Sequence, residues 1–192
     1  MSSIGIIGGT FDPIHFGHLI TAQAVKEIRN LEKIIFIPCN ISPHKKENGS
    51  ENSFHRFEMI KLAVNGLTDF EVSDFEINKG GISYTIDTLR EFRKEYSEIE
   101  LIIGFDNLLK FDSWKSPDEI LKLAKLVVMK RKIDIVPKGK NKYYNKAIIV
   151  NTPLIEINAT EIRERVKEGL SIDFLVPEKV KEYIYNSNLY KV

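Results

Sequence analysis

The chain is predicted to be an α/β domain, a doubly wound parallel sheet with a small helical portion at its C-terminus. Three observations predict this. Short apolar runs rich in β-branched residues alternate along the 192 residues with segments whose apolar positions recur at helical spacing. Such alternation implies βαβ units, a mostly parallel sheet and right-handed crossovers. Runs end in glycine ahead of the next segment, as at Gly8-Gly9 and Gly104, and two helical patterns follow the last run with no strand between them. Sheets of this kind bind ligands beyond the carboxyl ends of their strands, where the strand order reverses.

In chain order, Ile4, Ile6 and Ile7 form the first strand, and Ala22, Val25 and Ile28 mark a helix face after His18. Residues 34–37 are the second strand. Ser53 is placed to cap a helix carrying Phe57, Ile60, Ala63 and Val64. Phe70, Val72 and Phe75 suggest a third strand, Gly80-Gly81 breaks the chain, and Ile86, Leu89, Phe92 and Tyr96 mark another helix. Residues 101–103 are the fourth strand. Ser116 and Glu119 stand at capping-box spacing, with Pro117 at the first helical position. Residues 126–129 and 148–150 are the fifth and sixth strands. The closing helices cover about 160–168, stopped by Gly169, and about 177–185. One domain over residues 1–192 is expected, with about 1–155 as the sheet-bearing core and about 156–192 as the C-terminal helices.

Lys and Arg number 28 against 27 Asp and Glu. A balance this even argues against a general nucleic-acid or membrane-surface binder, which needs a basic excess, but leaves room for a local basic pocket. The single cysteine, Cys39, excludes an internal disulfide and a four-thiolate zinc site. No apolar run approaches a membrane span, and the N-terminus lacks the basic and long apolar regions of a signal peptide. A cytoplasmic protein is expected, with room for a homo-oligomer.

The loop after the first strand carries the chemistry. It reads Gly8-Gly9-Thr10-Phe11-Asp12-Pro13-Ile14-His15-Phe16-Gly17-His18. Two glycines at a strand end let a ligand approach the backbone. His15 and His18, three apart at a helix start, can share one side beside free N–H groups and the positive end of the dipole. Gly17 removes a Cβ where a phosphate would press. The string suits a polyphosphate cradle without lysine, and is neither a P-loop nor a Gly-x-Gly-x-x-Gly fingerprint. A zinc site of His15, His18, Cys39 and His44 is an alternative, although the spacing suits no common zinc module. Two other loops are lysine-rich. The loop over 38–52 holds Pro43-His44-Lys45-Lys46, and that over 132–146 holds Lys138, Lys140, Lys142 and Lys146. Each is either a solvated loop or a reach toward an anionic substrate.

At these residues the chain resembles the nucleotidyltransferases with a His-x-Gly-His signature, which are Rossmann-like. Within them it resembles the bacterial nicotinate-mononucleotide adenylyltransferases. Ser42-Pro43-His44-Lys45, Ser83-Tyr84-Thr85, Gly104-Phe105-Asp106, Trp114-Lys115 and Thr160-Glu161-Ile162-Arg163 agree with that branch in order and spacing. Three positions depart from it. Ile157-Asn158-Ala159-Thr160 keeps only the last hydroxyl of the usual string, Phe105 replaces a small residue, and Lys132 follows Arg131 where proline is common.

The resemblance implies transfer of the adenylyl group of ATP to nicotinate mononucleotide, giving nicotinate adenine dinucleotide and pyrophosphate, with Mg²⁺ as the cofactor carried by ATP and no protein metal ligands. It implies His18, His15 and Arg163 as catalytic. It implies Gly8, Gly9, Thr10, Phe11, His15, Gly17, His18, Gly104, Asp106, Thr160, Ile162 and Arg163 at ATP, with Asp106 accepting from the ribose. Lys45, Tyr84, Thr85 and Trp114 would bind the mononucleotide, Lys45 at its phosphate and Trp114 stacked on its ring. Bland alternatives stand beside these roles: a solvated helix charge for Arg163, a helix cap for Asp106 or Thr85, a loop charge for Lys45 and a core or rim residue for Trp114. Preference for nicotinate over nicotinamide is expected if helix N–H groups after Tyr84 meet the ring carboxylate.

Overall fold

A computed structural model describes residues 3–43, 52–130 and 142–191. Six strands form one all-parallel sheet: β1 (Ile4–Gly9), β2 (Lys33–Pro38), β3 (Phe70–Val72), β4 (Ile99–Gly104), β5 (Lys125–Lys130) and β6 (Ile148–Asn151). Their order is β3-β2-β1-β4-β5-β6. The chain runs outward from β1 to β3, then returns to pair β4 with β1. The order therefore reverses between β1 and β4, and their carboxyl ends open a crevice there.

Both sheet faces are apolar, as a parallel sheet covered by helices requires. Ile7, Ile34, Phe36 and Ile102 face one core with residues of α1 (Phe16–Arg29), α2 (Ser53–Val64), α7 (Ala159–Lys167) and α8 (Glu178–Asn186). Ile4, Ile6, Ile35, Ile37, Leu101 and Ile103 face the other, with α4 (Thr85–Phe92), α5 (Phe105–Leu109) and α6 (Pro117–Leu123). The period-two alternation of strand side chains divides the chain between the two layers. Through Ile162, Val166, Val180 and Ile184, α7 and α8 lie in the same core as α1 and α2.

Several elements differ from the sequence reading. Phe75 is not in β3 but begins α3 (Phe75–Lys79), where its N–H donates to the Ser73 hydroxyl. Asn52, not Ser53, caps α2, its side chain accepting from the Phe54 N–H. Ser116 makes no capping box. Its backbone is left-handed at φ 55°, and Glu119 is instead held two-pronged by Arg90 at 2.8 Å. α4 ends at Phe92, and Tyr96 keeps to that helix's face by stacking on the Phe92 ring. Ile28 is 53% exposed and belongs to no core face.

At the far end of the sheet from the crevice, Arg29 closes α1 onto Glu100 with two 2.8 Å hydrogen bonds. The Glu100 side chain is 3% exposed and that of Arg29 26%. Removing one partner of a buried pair leaves an uncompensated charge, whereas removing both need not. Arg29→Met is therefore expected to cost about 2–3 kcal/mol, below the ~3–5 of a fully buried pair because Arg29 keeps some water. The double variant Arg29→Met/Glu100→Leu should recover most of it. Urea unfolding of the four proteins checks this, and simple additivity of the two single losses would reject it.

Candidate active site

The loop from β1 to α1 is pinned from three directions. Arg56 of α2, 1% exposed, donates to the carbonyls of Thr10 (2.7 Å), Cys39 (2.7 Å) and Asn40 (3.2 Å). It thereby ties the loop after β1 to the loop after β2. Arg163 of α7 donates to the Asp12 carbonyl at 2.7 Å and to the Thr160 hydroxyl at 3.2 Å. Near the C-terminus, the Tyr190 hydroxyl donates to the Asp12 carboxylate at 2.7 Å. Buried loop backbone needs such partners. Neither Arg56 nor Tyr190 was found from the sequence. A signal for Arg56 existed: it stands at helical spacing with Met59, Ile60 and Val64, a charge on an apolar stripe.

The histidines meet at the start of α1. His15 is its N-cap, and His18 Nδ1 accepts from the His15 backbone N–H at 3.3 Å. This bond puts the proton of a neutral His18 ring on Nε2. The two rings stack with centroids 3.7 Å apart, and Phe11, at φ 50°, packs edge-on against His18 at 5.1 Å. The glycines make room for rings. A Cβ on Gly17 would come 2.9 Å from His15 Nδ1, and one on Gly9 would meet the Phe11 ring at 2.9 Å. The neighbour that Gly17 clears is thus the His15 imidazole. A Cβ on Gly8 would meet nothing within 4 Å. No acidic residue stands in the first turn of α1, so its dipole is not neutralised locally.

A cleft of about 330 Å³ opens on the α4 side of the same loop. Gly8, Gly9, Thr10, Tyr84, Thr85 and Trp114 all line it. Tyr84 caps α4 and Thr85 is its first residue, with no side-chain cap over the N–H groups. Trp114 packs against Phe111 at 5.1 Å. The cleft is also lined by Glu76, 7% exposed, which the sequence reading missed and which no local pattern marks. It accepts from the Thr88 hydroxyl at 2.5 Å and from Ser83, and the Ser83 oxygen accepts from the Asn40 N–H at 2.9 Å. Burial raises its pKa, opposed by those two hydroxyls and by Lys79.

Gly104 caps α5, and Asp106 is an exposed residue of its first turn, not the cap. Phe105 is buried in the core beside Leu108 and Phe111, so its bulk points away from solvent. Ile162, also expected at ATP, has its side chain fully buried in the other core, and its N–H bonds the Asn158 carbonyl at 3.3 Å. Asn158 caps α7 by accepting from the Glu161 N–H at 2.8 Å. Lys45 and His44 lie outside the described residues, as do Lys132, Lys138 and Lys140. Among the described residues no three His, Cys, Asp or Glu side chains cluster as a metal site. Among them, too, no helix is long and apolar enough to cross a membrane.

A parallel sheet of this order, with His-x-Gly-His opening the first helix, defines a Rossmann-like nucleotidyltransferase. The cytidylyltransferase-like family matches residues 6–165. A "Probable nicotinate-nucleotide adenylyltransferase" of Thermoanaerobacter sp. (strain X514) is 43% identical over 198 residues, covering 98% of this chain and 94% of its own. One of the same name from Dictyoglomus thermophilum is 43% identical over 193 residues, covering 97% and 98%. The fold matches the Plasmodium falciparum nicotinic acid mononucleotide adenylyltransferase complexed with NaAD, with a TM-score of 0.77, 19% identity, and coverage of 99% and 98%. The chain belongs to the cytidylyltransferase-like family and, within it, to the nicotinate-nucleotide adenylyltransferases.

Burial pushes the His15 imidazole down from the ordinary 6.5 to about 4. Burial, with His15 alongside, pushes His18 down to about 3. Both rings are neutral at pH 7. Between 6.5 and these lowered values the unfolded chain binds more protons than the folded one, so stability rises with pH across that window. Acidification from pH 7 to 5 is expected to cost about 2–4 kcal/mol through these rings, at about 1.4 kcal/mol per pKa unit. Urea unfolding at both pH values checks it. A His15→Gln/His18→Gln variant should lose much less, and an equal loss would assign the effect to other groups.

Proposed function

We propose that the protein transfers the adenylyl group of ATP, taken as its Mg²⁺ complex, to the 5′-phosphate of nicotinate mononucleotide, releasing pyrophosphate, in the cytoplasm. One observation carries the reading: a single loop, at the point where strand order reverses, lines a ring-sized cleft and continues into the histidine pair. The ATP phosphates would lie over the uncompensated start of α1, where an anion is favoured. Mg²⁺ would sit on phosphate oxygens and water, consistent with a hard cation that keeps much of its hydration.

The mononucleotide phosphate attacks the α-phosphorus in line, so no covalent enzyme intermediate is required. Catalysis is positioning plus stabilisation of charge on the phosphoryl oxygens. Neutral His18 would donate Nε2–H to those oxygens, with His15 stacked behind it. Arg163 would turn its remaining donors to the β- and γ-phosphates beside Thr160, since a guanidinium fork suits phosphate. Asp106 would accept from the ribose, and Gly104 would leave the nucleoside room beside it. Trp114 would stack on the pyridine ring, the first turn of α4 at Tyr84 and Thr85 would meet its carboxylate, and Lys45 would meet the phosphate.

Incubation with ATP, Mg²⁺ and nicotinate mononucleotide should give the deamido dinucleotide and pyrophosphate in equal amounts by chromatography. Folded protein giving neither sinks the reading. His18→Ala should lower kcat by about 10²–10³-fold, the order of losing one transition-state donor. A kcat within about threefold of the parent would remove His18 from the mechanism.

A further inference from the structure

Tyr190 stands near the end of the chain, yet its hydroxyl donates to the Asp12 carboxylate at 2.7 Å in the loop after β1. The backbone is bent to bring it there. Asn188 and Tyr190 take left-handed φ values of 54° and 61°, a conformation that costs a bulky residue, while Leu189 between them is buried in the core. The Tyr190 hydroxyl lies 4.0 Å from the Met59 sulfur of α2. Asp12 is 5% exposed, and a buried carboxylate needs donors of this kind. The same residue carries a second bond, since its carbonyl accepts from Arg163 at 2.7 Å. Pro13 follows, so the peptide between them has no N–H to donate. Its plane is held through the carbonyl and the Asp12 side chain, not through an amide hydrogen.

We propose that Tyr190 is a positioning residue of the adenylyl transfer: by holding the Asp12 carboxylate it fixes the carbonyl on which Arg163 rests, and so sets where the guanidinium meets the ATP phosphates. The inference rests on the reaction proposed above. Arg163 is half-buried and bonds two neutral oxygens, the Asp12 carbonyl and, at 3.2 Å, the Thr160 hydroxyl. Neither oxygen neutralises its charge. A guanidinium carries its donors in a rigid planar fork, so the edge laid on a carbonyl decides where the other donors point. Without the Tyr190 hydroxyl the carboxylate loses a donor, and Asp12 must shift to replace it. The Arg163 fork then shifts with the carbonyl. Tyr190 itself touches no substrate in this scheme and acts only through Asp12 and Arg163.

The test is a double-mutant cycle of Tyr190→Phe and Arg163→Ala, read by calorimetric titration with ATP alone and with nicotinate mononucleotide alone. Tyr190→Phe keeps the ring and removes only the hydroxyl. It should weaken ATP binding about five- to tenfold, a part of what one hydrogen bond to a charged group is worth. Its kcat/KM for ATP should fall by a similar factor, while affinity for the mononucleotide stays within about twofold. Arg163→Ala should weaken ATP at least as much. Adding Tyr190→Phe to it should change ATP affinity by less than about twofold, because the two residues act in series. Equal factors in both backgrounds would place the effect of Tyr190 elsewhere in the loop and overturn the inference. Unchanged ATP affinity in Tyr190→Phe, or an equal loss for the mononucleotide, would mark a merely structural hydroxyl and overturn it too. The titrations need no turnover. A wild type that binds ATP yet makes no dinucleotide would sink the reaction, and the cycle would still report whether Tyr190 sets Arg163.

Discussion

Three donors from distant parts of the chain hold one loop. The segment after β1 must leave the sheet with its backbone turned inward, and carbonyls at Thr10 and Asp12 then need partners. Arg56, Arg163 and Tyr190 supply them or grip the Asp12 carboxylate. Those residues come from α2, α7 and the C-terminal end, so the loop keeps its shape only when the whole of one sheet face is assembled. This gives the C-terminal helices a role beyond covering the sheet: they complete the shell that holds His15 and His18 in place. A guanidinium also tolerates this burial better than an ammonium would, because its planar fork reaches several carbonyls at once.

The electrostatics follow from that packing. A chain with a net charge of +1 has no long-range field to gather a polyanion. What it has is local: an α1 start with no acidic residue in its first turn, two imidazoles that burial keeps neutral, and an arginine whose present bonds are to neutral oxygens. Neutral donors beside a helix start attract phosphate without the desolvation cost of burying free charge. The stacking of the two rings at 3.7 Å suits this arrangement, since two imidazolium ions at that distance would repel.

Local features were legible in the sequence and long-range ones were not. The strands showed as β-branched runs, and the histidine loop as a string whose glycines, rings and helix start lie within eleven residues. Phe75 was misplaced because one apolar residue past β3 fits a strand and a short helix equally, and the Ser73 hydroxyl decides it. Ser116 failed because capping-box spacing says nothing of Arg90, 29 residues away from Glu119 and already holding its carboxylate. Ile162 sits in a motif beside Thr160 and Arg163, yet the helical period turns it into the core while they face the loop. Glu76 and Tyr190 have no sequence signature, because their meaning comes from partners at Thr88 and Asp12 brought near only by folding.

On the proposed reaction, the two faces of the sheet divide the work. The histidine pair and Arg163 belong to the layer of α1 and α7, while Tyr84, Thr85 and Trp114 belong to the layer of α4 and the turn before α6. The β1–α1 loop reaches both, with Gly8, Gly9 and Thr10 on the cleft and His15 and His18 at the helix. Two substrates anchored in opposite layers would meet above this loop. Gly8 is the residue there whose added Cβ would touch no protein atom, so the space beside it is open for a reacting phosphate. A loop clamped by Arg56, Arg163 and Tyr190 presents that space with little reorganisation, which is what stabilisation by fixed dipoles requires.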